Sequence, residues 1–242
     1  MKLETQKEKE LIKKRAFKRA FIDSIPVLTG YIPLGIGFGV MMHSKGYSAL
    51  WSGFMSVIIY GGSTQYVSVG LLSTAASIGT VVIIAMMLNA RQFFYGLSLL
   101  DKYKDLGKVK PYCIFAVTDE TYSVVIMDTI KDSGIDAKKY YFYLSALDHL
   151  YWIIGSILGG LIGMLIPFNT TGIDFAMTAL FVVILVEQWI SAKSHLPVIY
   201  GVCASLVCLL IFGKDNFLVP SLICITAALL GSRRKLEEVS EQ

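Results

Sequence analysis

Ionisable and polar side chains inside apolar segments are the residues of this sequence that could do chemistry. Arg91 follows Asn89 and precedes Gln92 in one apolar stretch, and Asp119 and Glu120 stand together in the next. A charge at the centre of a lipid-facing helix costs about 2.5–3.5 kcal/mol, so such residues face a protein interior and usually mark a pathway. They predict a counter-charge for a small solute and a carboxylate that exchanges a proton. A structural ion pair is the alternative.

A second candidate site is the run from Gly61 to Gln65, which interrupts another apolar segment. Its glycine pair permits unwinding, and unwound backbone at membrane depth is tolerated only where it lines a cavity. Freed N–H and C=O groups there could bind a solute carboxylate or ammonium group. Close helix packing through small residues is the alternative. The predicted substrate-binding residues are Gly61, Gly62, Ser63, Gln65, Asn89, Arg91 and Gln92.

Two further helix breaks are predicted beside this run. Residues 22–42 contain two prolines and four glycines. Proline removes a backbone donor and glycine weakens a helix, so we expect a break at Pro33, Gly35 and Gly37. The polar run 89–92 is expected to interrupt its own apolar segment in the same way. A solute bound between the breaks would rest its apolar part on aromatic side chains, namely Phe38, Tyr66 and Phe93.

The remaining ionisable residues form no pattern of a catalytic or metal site. Asp148 and His149 fall near the start of a predicted span, where we expect solvated positions at the membrane surface. The three histidines are far apart, and the four cysteines lie in apolar runs without a CxxC pair. The motifs H-E-x-x-H, G-x-S-x-G and the phosphate-binding loop do not occur. We therefore predict no enzyme, no metal and no cofactor, and any transport is secondary or channel-like.

The elements that must position these residues are membrane helices. Of the 242 residues, 55% are hydrophobic and 17% charged, and the mean hydropathy is +0.61. An average soluble chain has roughly 25% charged residues. The composition excludes a soluble globular enzyme, a disordered chain and a secreted disulfide scaffold. It predicts an all-α, polytopic helical membrane protein with about 8 transmembrane spans of roughly 20 residues, several of them broken by Gly or Pro.

Charge predicts how the chain is organised. A basic amphipathic arm occupies residues 1–20, with eight Lys or Arg, and we expect it in the cytoplasm. A single transmembrane domain is predicted over 21–231, and a polar cytoplasmic tail over 232–242. No aromatic interleaving or second basic patch supports binding of nucleic acid.

Counting basic residues gives an orientation for the spans. Eight spans with a cytoplasmic N-terminus leave 15 Lys and Arg inside and 6 outside. If residues 47–72 turn back instead of crossing, the counts become 13 and 8. The eight-span arrangement fits the positive-inside rule better. It predicts cytoplasmic termini and an outer loop over 101–110.

The motifs together resemble those of the AzlC family, the large subunit of bacterial branched-chain amino acid exporters. Residues 26–39 read P-x-x-x-G-x-x-P-x-G-x-x-F-G, followed by Gly-Gly-Ser-Thr-Gln-Tyr at 61–66, Asn-Ala-Arg-Gln at 89–92 and Thr-Asp-Glu at 118–120. The resemblance extends over roughly residues 15–230. The family often has His where this chain has Gln92, so a titrating role is not expected at that position.

The resemblance implies a secondary transporter of the bacterial inner membrane that exports leucine, isoleucine, valine and sometimes methionine. It also implies coupling to protons and a small membrane subunit of the AzlD type, alongside membrane lipid. The glycine-rich faces of residues 22–42 and 141–166 are the surfaces expected to receive that subunit. A small-ion channel or pore is the alternative function. It would need a continuous polar stripe, whereas the polar residues here cluster at predicted breaks.

Overall fold

The computed structural model describes residues 2–127, 130, 134–165, 182, 185–186, 189–190 and 195–232, and its secondary structure over those residues is helical. The chain divides into two compact units, Met1–Ile173 and Asp174–Gln242. The first unit contains α1 (Lys2–Ser44), α2 (Ala49–Ile58), α3 (Gly62–Ser73), α4 (Ile78–Ser98), a 3-10 turn (Gly107–Val109), α5 (Lys110–Phe115), α6 (Asp119–Met127) and α7 (Ala137–Leu165). The second contains α8 (Leu196–Asn216) and α9 (Leu218–Gly231).

Within the described residues, four segments are long and apolar enough to cross a membrane. They are Glu10–Ser44, Ile78–Ser98, Ala137–Leu165 and Leu196–Gly213. The prediction of an all-α, multi-pass membrane protein is therefore confirmed. The prediction of one domain over 21–231 stays a prediction.

The α1 and α7 helices form the centre of the first unit and run in the same direction. Their contacts advance together along both helices, at Ser24–Tyr151, Gly35–Gly155 and His43–Gly163. Glycines allow this close approach: a Cβ atom at Gly39 would lie 2.1 Å from the carbonyl oxygen of Ser156, and one at Gly159 would lie 2.1 Å from that of Ile36. Most of the glycines expected to receive a second subunit therefore pack against other helices of this chain, although nothing lies within 4 Å of a Cβ atom at Gly30.

The predicted break at Pro33, Gly35 and Gly37 is wrong, because α1 is one helix through both of its prolines. Packing of α1 between Ala16 and His43 holds it together, since tertiary contacts supply most of the stability of a helix in a protein. Gly35 and Gly37 serve those contacts rather than a break: Gly35 lies against α7, and a Cβ atom at Gly37 would lie 2.7 Å from the hydroxyl of Tyr66.

The polar run 89–92 does not interrupt α4 either, contrary to the prediction. Its polar side chains bond to neighbouring elements, Asn89 to Thr64 and Arg91 to Asp119. The backbone of α4 can therefore keep its own hydrogen bonds.

The segment 47–72 turns back on itself. The α2 helix runs antiparallel to α7, with Ala49 at Gly160 and Ser56 at Ser156. It ends at Ile58, and α3 begins at Gly62, so the predicted interruption at the glycine pair is present. Between the helices, Tyr60 has a positive φ of 40°. The end of α3 returns to the end of α1, where Leu72, Met42 and Tyr47 line one apolar groove.

The α5 and α6 helices form a second hairpin, which enters from the opposite end. At their base, Leu99, Tyr103 and Leu106 pack with Ala16, Ala20 and Tyr140 in one buried cluster. The ammonium group of Lys102 donates to the carbonyl oxygens of Val125 and Ile126, so α6 ends beside the loop from which α5 begins. The start of α5 and the end of α6 therefore both lie at the end of the first unit that holds the basic arm.

These two hairpins correct the predicted topology of the first unit. The α1, α4 and α7 helices extend between its two ends, whereas α2–α3 and α5–α6 each enter from one end and turn back. The prediction that 101–110 lies opposite the arm is wrong, because Gly107 approaches Lys138 at the arm's end, with 3.4 Å between the Lys138 Nζ and a Cβ atom placed at Gly107. Two of the eight predicted spans are thus re-entrant.

In the second unit, α8 and α9 form an antiparallel helix pair. The α8 and α9 helices are joined at Phe217, and the hydroxyl groups of Tyr200 and Ser232 lie 3.1 Å apart at the other end. Gly213 has a positive φ of 72°, which marks a kink in α8.

Candidate functional site

The tips of the two hairpins meet between α1 and α7. The ring of Tyr60, from the α2–α3 tip, lies 6.4 Å from the ring of Phe115 and 4.2 Å from that of His149. Tyr31 of α1 packs edge-on against Trp152 of α7 at 5.4 Å. Discontinuous helices that meet in this way provide unpaired backbone groups in the middle of a membrane protein, as secondary transporters use them.

Arg91 and Asp119 form an ion pair at this junction. The Arg91 Nη1 lies 2.7 Å from the Asp119 Oδ2, and the two side chains are 34% and 38% exposed. The sequence left open which carboxylate Arg91 would meet. Asp119 begins α6, where a negative charge is favoured by the helix dipole. Because the pair is partly exposed, the guanidinium group keeps donors for a second anion.

Glu120 points away from this pair, since adjacent helical residues differ by about 100° in direction. Its Oε2 accepts a hydrogen bond from the Tyr31 hydroxyl at 2.7 Å. That hydroxyl also lies 2.5 Å from the Thr118 Oγ1. Glu120 is therefore the carboxylate of the adjacent pair that Arg91 does not neutralise.

The glycine run contacts α4 through Asn89. Thr64 donates to the Asn89 Oδ1 at 2.9 Å, and a Cβ atom at Gly61 would lie 3.4 Å from the same oxygen. The backbone at Gly61 is extended, with φ −144° and ψ 98°, so α3 begins without a side-chain cap. Ser63 and Gln92 are both partly buried.

Gln65 has a different environment from the other predicted binding residues. It is 0% exposed, donates to the Ser56 hydroxyl at 3.0 Å and accepts from the Trp152 Nε1 at 2.7 Å. Ser56 in turn donates to Ser156 at 2.7 Å. Both ends of the Gln65 amide are thus occupied within the protein.

Asp148 and His149 are not at a solvated surface, and that expectation is wrong. Asp148 is 0% exposed and accepts from the Thr121 hydroxyl at 2.8 Å. His149 is 7% exposed and bonds to Tyr112 and to the carbonyl oxygen of Ser56, each at 3.1 Å. Both residues lie within α7, where the α5–α6 hairpin covers them.

A pattern in the sequence could have indicated this buried polar face. Ser145, Asp148, Trp152 and Ser156 follow one another at spacings of three or four residues. That spacing places them on one side of a helix. Polar residues sharing one side of an apolar helix indicate a side that faces protein instead of lipid.

Two of the three expected aromatic residues lie together. The rings of Phe38 and Tyr66 are 5.8 Å apart, and Phe38 also stacks on Trp152 at 6.5 Å. Phe93 is 70% exposed and packs with Phe94, so its predicted place in the pocket is wrong. Among the described residues no cluster of His, Cys, Asp and Glu could hold a metal ion.

Comparison with known proteins places the chain in a family. A family model described as AzlC protein matches residues 26–166. The chain is 39% identical over 223 residues, 92% of its length and 87% of the relative, to the branched-chain amino acid transport protein AzlC of Bacillus subtilis. It is 40% identical over 92% of its length to an uncharacterized membrane protein of Haemophilus influenzae, 91% of which is covered.

A more distant relative is the inner membrane protein YgaZ of Escherichia coli, with 24% identity over 84% of each chain. No solved structure matches this chain. The matched residues 26–166 include the α2–α3 and α5–α6 hairpins, the Arg91–Asp119 pair and all of α7, which together build the junction. On this evidence, the chain belongs to the AzlC family of membrane transport proteins.

Proposed function

We propose that this chain is a secondary transporter that exports branched-chain amino acids across the bacterial inner membrane in exchange for protons. The observation that carries the proposal is the junction of two hairpin tips, at which Arg91, two carboxylates and unwound backbone come together. The name of the Bacillus subtilis relative supports the choice of solute.

A zwitterionic amino acid needs an anion site, a cation site and an apolar surface. Arg91 provides the first, because a guanidinium group can hold Asp119 on one edge and a solute carboxylate on another. The freed N–H groups near Gly62 and Ser63 add to that site. Asp119 or Glu120 would hold the ammonium group, and an aliphatic side chain would rest on Phe38 and Tyr66.

The cytoplasmic side follows from the distribution of charge. The basic arm, the four lysines of 101–110 and Lys138 and Lys139 share one end of the first unit, whereas Lys45 lies at the other. By the positive-inside rule the first end is cytoplasmic. The basic residues at 233–235 support a cytoplasmic C-terminus as well.

A small membrane subunit of the AzlD type remains part of the proposal, but its docking surface differs from the one expected. The glycine faces of α1 and α7 are used within the chain, whereas α4 exposes a wide apolar surface. Its most exposed members are Ile78 at 83%, Met86 at 70% and Phe93 at 70%. This surface suits a helical subunit or lipid.

Transport in proteoliposomes tests the function. Vesicles that contain the chain together with a small AzlD-type subunit would be loaded with leucine and given labelled leucine outside. We expect saturable counterflow that excess isoleucine or valine inhibits. An ohmic ion current without leucine counterflow would instead identify the small-ion channel. Vesicles that contain the chain alone test the need for the subunit, since full counterflow there would exclude it.

A further inference from the structure

An unbroken chain of hydrogen bonds joins Glu120 to the buried Asp148 through three hydroxyl groups. Tyr31 lies 2.7 Å from Glu120 and 2.5 Å from Thr118. Thr118 lies 3.2 Å from Thr121, and Thr121 lies 2.8 Å from Asp148. Each separation is that of a hydrogen bond or close to it.

If both carboxyl groups are ionised, this series of hydrogen bonds has one proton too few. It has four oxygen–oxygen contacts, and its three hydroxyl groups can each place a proton in only one of them. Three protons leave one contact without a proton: the 2.5 Å contact between Tyr31 and Thr118 if Thr118 donates to Thr121, or the 3.2 Å contact between the two threonines if Thr118 donates to Tyr31. In either arrangement one oxygen–oxygen contact at or near hydrogen-bond length has no proton. One added proton, on Glu120 or on Asp148, completes all four bonds.

The two carboxyl groups at the ends of this hydrogen-bond series differ in their exposure to solvent. Glu120 is partly exposed, whereas Asp148 is 0% exposed, and its Oδ1 has no hydrogen-bond partner within the described residues. A buried anion in that state is costly unless it is paired. Three titratable side chains on the packed elements interact electrostatically with Asp148, namely Tyr60 of the α2–α3 tip, Tyr112 of α5 and Glu120 of α6, and His149 adjoins it in α7.

We propose that Glu120, Tyr31, Thr118, Thr121 and Asp148 form a proton relay that shares one proton between the two carboxyl groups. When Glu120 gives its proton to Tyr31, each hydroxyl passes its own proton to the next oxygen, and Asp148 receives one. The hydroxyl groups end neutral, and the net change is one proton moved from Glu120 to Asp148.

The relay depends on where the α5–α6 tip lies. Thr118, Thr121 and Glu120 belong to that tip, whereas Tyr31 is on α1 and Asp148 is on α7. A displacement of the tip by about 1 Å would lengthen its bonds beyond hydrogen-bond range. Proton transfer is therefore linked to the position of the tip. This link to transport rests on the proposed function, whereas the shared proton does not.

Infrared spectroscopy of the purified protein tests the shared proton without any solute. At neutral pH we expect the C=O band of a protonated carboxyl group, which Glu120→Gln or Asp148→Asn shifts or removes and the double variant abolishes. Tyr151→Phe is the control and should leave this band unchanged, because the buried hydroxyl that it removes bonds to Ser24 outside the relay. Identical carboxyl bands in the parent and the double variant would overturn the proposal.

Transport measurements test the relay separately from the proposed function. Thr121→Val and Tyr31→Phe should keep leucine counterflow but reduce accumulation driven by a pH gradient about tenfold or more, because proton transfer by a positioned group typically contributes at least that much. Tyr151→Phe should keep both activities. Accumulation by Thr121→Val at the parent level would refute the relay. A parent that transports no leucine, but shows the expected infrared changes, would refute the proposed function alone.

Discussion

The Arg91 side chain could both stabilise the fold, through its ion pair with Asp119, and bind a solute carboxylate. This pair joins α4 to the start of α6, yet about a third of each side chain remains exposed. The planar guanidinium fork is what allows two anions to bind in the same plane. Charge alone would not provide that geometry, so lysine is the informative replacement at this position.

Arg91→Lys should weaken leucine binding about tenfold or more, because a hydrogen bond to a charged group is worth about 1.5–3 kcal/mol. Binding would be measured from the concentration dependence of leucine counterflow. Arg19→Lys is the matched control, since Arg19 also pairs with an aspartate, Asp23, at 2.8 Å, but outside the junction. Equal leucine affinity in the two variants would make the Arg91 pair structural only.

Gln65 illustrates the opposite case, a predicted binding residue whose polar groups are already used. Gln65→Leu should lower the free energy of unfolding by about 1–3 kcal/mol, because it leaves Trp152 and Ser56 without their partners in a buried site. Thermal unfolding in detergent measures this change. Gln92→Leu, at a partly exposed position of α4, should shift the midpoint much less. If both variants unfold at the parent temperature, the buried network contributes little to stability.

At the scale of the elements, contact between α1 and α7 decides which glycines matter. Gly39→Ala should destabilise the protein by about 1–3 kcal/mol, the usual cost of overpacking, because the new Cβ atom would lie 2.1 Å from a carbonyl oxygen of α7. Gly30→Ala is the control on the same helix, because nothing lies within 4 Å of its added Cβ atom. Unfolding midpoints of the two variants would be compared. Equal midpoints would contradict the observed packing.

The helices of the first unit also show what hydropathy can and cannot predict. The interruption at Gly61 was predictable, because adjacent glycines in an apolar run weaken a helix. The breaks expected at Pro33 and at 89–92 did not occur, since packing and side-chain pairing compensated for them. Local propensity is a weak guide wherever a helix is buried along its length.

At the scale of the whole molecule, the two re-entrant hairpins predict a specific pattern of accessibility. In a cysteine-free variant, single cysteines at Lys104 and Lys138 should be protected from an impermeant thiol reagent in intact cells, because both positions lie at the end that carries the basic arm. A cysteine at Ser48, between α1 and α2, should react. Labelling of position 104 from outside, with 138 protected, would restore the eight-span arrangement.

Composition and motif order were enough to predict helices in a membrane, the family, and the residues Arg91, Asp119 and Glu120 as a group. Such features depend only on which residues are present, because burying uncompensated charge in lipid is costly wherever it occurs. Tertiary contacts decided which apolar segments cross and which turn back, since a crossing helix and a re-entrant hairpin have the same hydropathy. They also decided that Arg91 meets Asp119 and that Asp148 is buried, because both outcomes depend on the hairpin tips, which only long-range packing brings together.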